Sequence, residues 1–251
     1  MNIDAIRVLA FVCVFGGALF GMFLRAALPE HQLSADSKDT VRLGMGLIGT
    51  MSALVLGLLI ASAKSFYDTQ SSQLTTISAK MILLDRVLAH YGPESKEARD
   101  LLRSSVTRTL DRLWPKDGRQ SPQTAPASAE GESIYDAIQN LTAKSDTQRA
   151  LQAQAVNIAV QLGEARWLMY QQASGFVSVP VLAVVVFWLA MIFISFGLFA
   201  PRNAIAIATL FVCATSVSGA IFLIVAMYRP FQGIMQISSA PLRNALAYLG
   251  Q

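Results

Sequence analysis

Four long apolar stretches dominate the hydrophobic pattern of the chain. They run from about Val8 to Leu24, Leu43 to Ala63, Phe176 to Phe199 and Ala204 to Met227. A helix needs about 20 mostly apolar residues to cross a hydrocarbon core of about 30 Å. No Asp, Glu, Lys, Arg or His lies inside any of the four stretches. The pattern therefore predicts four transmembrane helices without an ionisable side chain at membrane depth.

A cleaved signal peptide is the alternative for the first stretch. Its apolar run is longer than the usual about 7–15 residues of a signal peptide, and Arg25 interrupts the expected small-residue cleavage site. Both features favour a retained transmembrane helix.

The region between the second and third stretches has a different periodicity. Two runs place apolar residues at alternating spacings of three and four, which is the heptad pattern of packed helices. The first run is Leu74, Ile77, Met81, Leu84, Leu88 and Tyr91, and the second is Leu151, Ala155, Ile158, Leu162, Ala165 and Met169. Each run forms an apolar stripe on its helix, which we call a seam. Each seam could pack within one chain or between subunits.

Proline and glycine divide this region into predicted helices. No Pro or Gly lies between Gly57 and Gly92, so we expect one continuous helix from Leu43 to Tyr91. Gly92-Pro93 ends it, and a second helix runs to about Trp114. A Pro-, Ser- and Ala-rich stretch at about 115–132 predicts a flexible linker. A third helix is expected from about Ser133 to Gly175, entering the next span with a kink near Pro180.

The predicted fold is an all-α polytopic membrane protein. Transmembrane helices one and two occupy residues 1–64, a helical cytoplasmic region 65–175, and transmembrane helices three and four 176–228. The cytoplasmic region forms a stalk or bundle, built partly from extensions of spans two and three. An amphipathic tail of residues 229–251 is expected to lie at the membrane interface or to pack on the stalk.

Composition agrees with a membrane protein. Of the 251 residues, 53% are apolar and only 14% are charged, whereas soluble domains carry about 25% charged residues. Two Cys form at most one disulfide, which cannot stabilise a chain of this length. The sequence is therefore not that of a small disulfide-rich secreted protein.

Charge predicts the orientation. All but four of the 20 Lys and Arg lie on the side of the termini and of residues 65–175; the exceptions are Arg25, Lys38, Arg42 and Arg202. The positive-inside rule then places the N-terminus, the C-terminus and the 65–175 region in the cytoplasm of a bacterial inner membrane.

No motif of catalysis or cofactor binding is present in the sequence. It contains no H-E-x-x-H, Walker A loop, G-x-G-x-x-G or C-x-x-C, and its two His have no neighbouring Cys or second His. The basic residues alternate with acidic ones, which is typical of a solvated helix face and not of a nucleic-acid interface. We therefore expect no catalytic residue, no cofactor, no metal site and no nucleic-acid partner.

Small residues recur every four positions in spans one and two. They are Gly17 and Gly21 in the first span, and Gly49, Ala53, Gly57 and Ala61 in the second. This spacing lets helix backbones approach closely in lipid. The simplest interpretation is helix packing within one subunit.

The alternative interpretation is that a face of span two lines a pore. At 100° per residue, one apolar face contains Met45, Gly49, Ser52, Leu56 and Ile60. Around a central axis it would form a hydrophobic neck that gates by dewetting. Lys64 lies just beyond and would place a positive ring at the cytoplasmic mouth. Otherwise Lys64 pairs with Asp68, four residues on, or extends to lipid headgroups.

Three segments resemble the bacterial bestrophin-like domain family of membrane proteins. They are Gly57-Leu-Leu-Ile-Ala-Ser-Ala-Lys-Ser-Phe-Tyr-Asp68, Leu83-Leu-Asp-Arg-Val-Leu-Ala-His-Tyr-Gly-Pro-Glu94, and Arg229-Pro-Phe together with Ile237-Ser-Ser-Ala-Pro-Leu-Arg243. The resemblance to bestrophin anion channels implies a ring-shaped homo-oligomer, such as a pentamer, that conducts inorganic ions across the lipid bilayer. Bestrophin necks carry aromatic side chains, which the face predicted here lacks.

Two function classes follow from these observations. The first is a homo-oligomeric ion channel or channel-like pore, anion-selective through Lys64 and lined by span two. The second is a non-conducting membrane scaffold or signalling protein that acts through its cytoplasmic helices. An enzyme is the third and least favoured class.

Overall fold

The computed structural model describes residues 3–27, 35–115, 128–173 and 179–250. These residues form eight α-helices, one 3-10 turn at Pro93–Ser95 and no strand, which confirms the all-α prediction. The helices are α1 (Ile3–Ala27), α2 (Ala35–Tyr91), α3 (Lys96–Leu113), α4 (Ser128–Gln139), α5 (Asp146–Ala173), α6 (Val179–Phe199), α7 (Ala204–Met227) and α8 (Ala240–Tyr248).

The chain divides into two compact units. The membrane unit comprises Met1–Tyr67 and Phe176–Arg229, and the helical unit comprises Asp68–Gly175 and Pro230–Gln251. Four helices among the described residues are long and apolar enough to cross a membrane, and they coincide with the four predicted spans. The boundary between the two units falls inside α2, which is a single helix of 57 residues.

Helix α1 packs against both α6 and α7 in the membrane unit. Its buried residues include Ala10 and Ala18, which belong to one buried cluster with larger side chains such as Val185 of α6 and Ile221 of α7. The backbones of α1 and α6 approach so closely that a Cβ atom at Gly21 would overlap the carbonyl of Ile194. Glycine at this crossing is therefore a steric requirement.

Two arginines donate to backbone carbonyls beside this crossing. Arg25, in the last turn of α1, donates to the carbonyl of Ala200. In return, Nη2 of Arg202, which follows α6, donates to the carbonyl of Met22 at 2.7 Å. Ala200 directly follows α6, where backbone carbonyls have no partner within the helix. The two bonds together connect the C-terminal parts of α1 and α6.

The first heptad seam forms the core of the helical unit. All six predicted residues from Leu74 to Tyr91 are buried, four of them with no more than 1% of their surface exposed. On α5, Ala155, Ile158 and Leu162 of the second seam are also buried. Nζ of Lys80 donates to Oε1 of Gln161 at 3.0 Å, which connects α2 to α5. Both seams therefore pack within one chain, while a contact between subunits stays a prediction.

The predicted continuous helix from Ser133 to Gly175 is wrong. The chain leaves the helix after Gln139 and re-enters it at Asp146. Ser145 caps the new helix, because its Oγ accepts from the backbone N–H of Gln148 at 3.1 Å. This Ser-x-x-Gln spacing is a capping-box signature that marks a helix start in the sequence.

Two other predicted features lie partly outside the described residues. The structure describes no residue from 116 to 127, where most of the linker was predicted, and α4 already begins at Ser128, so the predicted linker extends too far. Residues 174–178, which precede the kink expected near Pro180, are outside as well, and Pro180 itself lies in the first turn of α6.

The C-terminal tail packs in the helical unit. Helix α8 contacts α3, and Leu242, Ala245 and Leu249 are buried. Nε1 of Trp114 donates to the carbonyl of Ile237 at 3.0 Å, which holds the segment before α8. Of the two predicted positions for the tail, packing on the helices of the region between spans two and three is therefore the one observed.

The turn between α2 and α3 is held by α5 and by the residues before it. Nε2 of Gln148 donates to the carbonyl of Tyr91 at 3.0 Å, and Lys144 pairs with Glu94 at 2.8 Å. The hydrogen bond from Lys144 lowers the pKa of Glu94, and the same bond raises the pKa of Lys144. Any stability from Glu94 is thus present above its unfolded pKa and is lost as pH falls through the lowered folded value.

Candidate pore-lining face of α2

The membrane segment of α2 is the least buried of the four spans. Only 6% of its most apolar window is buried inside the chain, compared with 28%, 33% and 44% for α1, α6 and α7. Large apolar side chains on it, such as Leu43, Leu47 and Leu58, are more than 60% exposed. The segment therefore offers its surface to lipid, to another copy of the chain, or to a pore.

One side of this segment packs on the rest of the membrane unit. Ser52 is 2% exposed, Ala63 is fully buried, and Val55, Leu56 and Leu59 pack against the core formed by α1, α6 and α7. The residue spacing continues the buried seam of the helical unit, because Leu56, Ala63, Gln70 and Ile77 are seven residues apart. Within the membrane unit, the packed side of this segment is thus one stripe along the helix.

The residues predicted to line a pore lie at different places relative to this stripe. Ser52 is inside the membrane unit and Leu56 packs on its core, so neither lies on the free side of a single chain. Met45 and Gly49 are partly buried at the edge of the stripe, whereas Ile60 is 41% exposed and Lys64 is exposed. The pore role itself depends on an assembly of chains and stays a prediction.

The predicted packing glycines also divide into two groups. On α1, a Cβ at Gly17 would lie 3.1 Å from the carbonyl oxygen of Ala190, and Gly21 allows the close crossing with α6. On α2, a Cβ at Gly49 or Gly57 would meet no atom within 4 Å. Ala53 and Ala61 are exposed like Gly57. Within one chain the small residues of α1 are packed, and those of α2 face outwards.

The exposed surface of α2 has two chemically different sides. At 100° per residue, the leucines cluster on one side and the small residues on the other, about 100° away. The side with small residues, which we call the small-residue face, consists of Gly46, Gly49, Ala53, Gly57, Ile60 and Lys64.

Aromatic residues surround the end of span two near Lys64. Oγ of Ser62 and Oη of Tyr228 lie 3.1 Å apart, and the rings of Phe66 and Tyr228 stack with centroids 5.1 Å apart. Nζ of Lys64 lies 5.9 Å from the ring centroid of Tyr67. Tyrosines at this depth are typical of a membrane interface. The two contacts of Tyr228 connect the end of the membrane segment of α2 to the residue that follows α7.

Several of these residues were not predicted as functional. In the sequence, Arg25 and Arg202 appear only as charges that flank a span, and nothing in their spacing indicates the carbonyl bonds that they exchange.

Among the described residues, no group of three or more His, Cys, Asp or Glu is arranged to hold a metal ion. Cys13 and Cys213 are unpaired and exposed.

Comparison with known proteins places the chain in a family. The sequence model of the bestrophin-like domain family matches residues 12–242, which is nearly the whole chain. No curated protein and no solved structure shows significant similarity to it. The match includes most of the first span, the other three spans, the helical unit and most of the tail, and it agrees with the resemblance of the three sequence segments. The chain is an integral membrane protein that belongs to the bestrophin-like family.

Proposed function

We propose that the protein is a homo-oligomeric ion channel or channel-like pore whose axis is lined by α2. The observation that carries this proposal is the small-residue face, which is free of acidic groups and exposed on a membrane helix that its own chain covers on only one side. The family supports it, because bestrophins are the channels for which it is named. In the proposed arrangement the N-terminus, the C-terminus and the helical unit are in the cytoplasm of a bacterial inner membrane.

The small-residue face is a better candidate for the pore lining than the face predicted from sequence. It keeps Gly49, Ile60 and Lys64, and it replaces the more buried Met45, Ser52 and Leu56 with Gly46, Ala53 and Gly57. The three replacements are exposed, and a Cβ at Gly46 or Gly57 would meet no atom. Small side chains leave room at the axis, while the leucine side suits lipid chains or the neighbouring subunit.

Two residues of this face would control conduction. Ile60 is its largest apolar side chain, and a ring of such side chains closes a pore by excluding water. Lys64 follows one helical turn later. A ring of ammonium groups at the mouth attracts anions and repels cations, so the proposed pore prefers anions.

Cysteine accessibility tests which side of α2 faces the pore. In a background of Cys13→Ser and Cys213→Ser, a negatively charged methanethiosulfonate should block the current of the Ala53→Cys variant. It should leave Leu54→Cys unaffected, because this neighbouring position, 67% exposed, faces lipid in the proposed arrangement. The measurement is macroscopic current before and after the reagent. Block at Leu54→Cys without block at Ala53→Cys would reverse the assignment.

Charge reversal tests the mouth. Lys64→Glu should shift the reversal potential in a KCl gradient away from the chloride equilibrium potential, since a positive ring becomes a negative one. Lys64→Arg keeps the charge and serves as the control, with an unchanged reversal potential. If Lys64→Glu and Lys64→Arg give the same selectivity, Lys64 does not lie at the mouth of the pore.

The second candidate function is a non-conducting scaffold or signalling protein. The folded helical unit favours it, because a buried core from Leu74 to Tyr91 and a packed C-terminal tail form an independent body that could bind a partner. The two functions differ in one property, which is conductance. An enzymatic function stays the third alternative.

A further inference from the structure

Gln70 is one of several buried polar residues of α2, and it falls on a heptad position of the seam. Gln70 has none of its surface exposed, and it lies in line with Leu74 and Ile77, which are also buried. Burying an amide without hydrogen-bond partners is unfavourable, because the group loses its bonds to water. The surroundings of Gln70 must therefore supply partners for its amide.

Protein groups do not supply them among the described residues. Both Nε2 and Oε1 of Gln70 are buried without a hydrogen-bond partner, and so is Oε1 of Gln73. Nε2 of Gln73 donates to Oε1 of Gln172 on α5 at 2.8 Å. Residues three apart on a helix are neighbours on its surface. Two adjacent amides thus present one donor group and two acceptors that remain to be satisfied.

Other glutamines of the helical unit do find partners. Nε2 of Gln152 donates to the carbonyls of Ile138, Gln139 and Leu141, and Nε2 of Gln148 donates to the carbonyl of Tyr91. The need for partners is therefore specific to Gln70 and Gln73 and is not a general property of glutamines in this unit.

We propose that Gln70 and Gln73 bind an ordered water molecule inside the helical unit. The ligand must accept from an amide N–H and donate to amide oxygens, and water does both. A metal cation would bind the amide oxygens but leave the N–H group of Gln70 without an acceptor. An anion would accept from this N–H group but would be repelled by the two amide oxygens. Exchanging the N and O atoms of Gln70 changes nothing, since both atoms lack partners. The water and the Gln73–Gln172 bond together form a polar layer in an otherwise apolar seam.

Replacing Gln70 by methionine, which has a similar shape, tests the site by stability. If water satisfies the two amides, Gln70→Met removes the amide groups that hold this water. Oε1 of Gln73 then stays buried without a partner, so the melting temperature should fall by about 3 °C. Gln154→Met is the control, because Gln154 is exposed on α5 and its replacement should leave the melting temperature unchanged. A rise in melting temperature for Gln70→Met would overturn the proposal, since removing an unsatisfied amide stabilises.

Direct observation provides the second test. A structure of the full-length protein at a resolution that shows water should place a density peak about 2.7–3.2 Å from an amide atom of both Gln70 and Gln73. The same peak should be missing in Gln70→Met. No peak, or amides paired only with protein groups, would overturn the water site.

Discussion

Replacing Gly197 by alanine is expected to destabilise the membrane unit by about 3 kcal/mol, the upper part of the range for overpacking. The added Cβ would overlap the carbonyl oxygen of Ala18 on α1. The obstacle is backbone and not a flexible side chain, so relief requires α1 and α6 to separate. That movement would also strain the hydrogen bonds from Arg25 and Arg202 across the same pair of helices. Reversible unfolding in mixed micelles measures the effect.

The chain provides a matched control for this substitution. Gly16 is also a helical glycine of the membrane unit, but a Cβ there would meet no atom within 4 Å. Gly16→Ala should be neutral or stabilising, because alanine favours a helix by about 1 kcal/mol over glycine. Gly21→Ala should resemble Gly197→Ala, and the double variant should cost less than the sum, since the helices need to separate only once. Equal stability of Gly16→Ala and Gly197→Ala would contradict the close crossing.

Asp85→Ala is expected to destabilise the helical unit by about 3–5 kcal/mol, as removal of one partner from a buried ion pair does. The carboxylate is 2% exposed and accepts from Nε and Nη2 of Arg99 at 2.8 and 3.0 Å. It also accepts from the backbone N–H of Gly250 at 3.2 Å, which holds the end of the tail. The hydrogen bond to Asp85 raises the pKa of Arg99, so the guanidinium keeps its charge and would lose its buried carboxylate partner.

Asp146→Ala is the control for this prediction. Asp146 pairs with Arg149 at 2.7 Å, but both side chains are more than 70% exposed. Exposed pairs contribute about 0–1 kcal/mol, so thermal unfolding should hardly change. Asp85→Asn, which keeps the shape and loses the charge, should fall between the two. Similar melting temperatures for Asp85→Ala and Asp146→Ala would show that the buried pair is not a determinant of stability.

Much of the fold could be predicted from sequence because its signals are long and repeated. An apolar run of about 20 residues has few alternatives to a membrane span, and six residues in heptad spacing from Leu74 to Tyr91 define one buried face. The break between α4 and α5 contains neither Pro nor Gly, the residues by which this region was divided into predicted helices, so it was not predicted. The capping signal from Ser145 to Gln148 was available and marks the break.

The orientation of α2 in the membrane unit was harder to predict. In span two all sides are apolar or small, so hydrophobicity does not distinguish the packed side from the free side. The seam could have settled the question: continuing it back from Ile77 in steps of seven leads to Gln70, Ala63 and Leu56, which are on the packed side. Gln70 conceals this continuity, because a polar residue ends the apparent apolar pattern. The exchanged bonds of Arg25 and Arg202 depend on tertiary contact and have no local signal.

Single-channel recording from the purified protein in a planar bilayer tests the central proposal most directly. Under a KCl gradient, an intact oligomer should show discrete unitary currents that reverse near the chloride equilibrium potential. Size-exclusion chromatography with light scattering on the same sample establishes that the oligomer is intact. An intact oligomer without unitary currents under any ionic condition would contradict the channel and favour the scaffold.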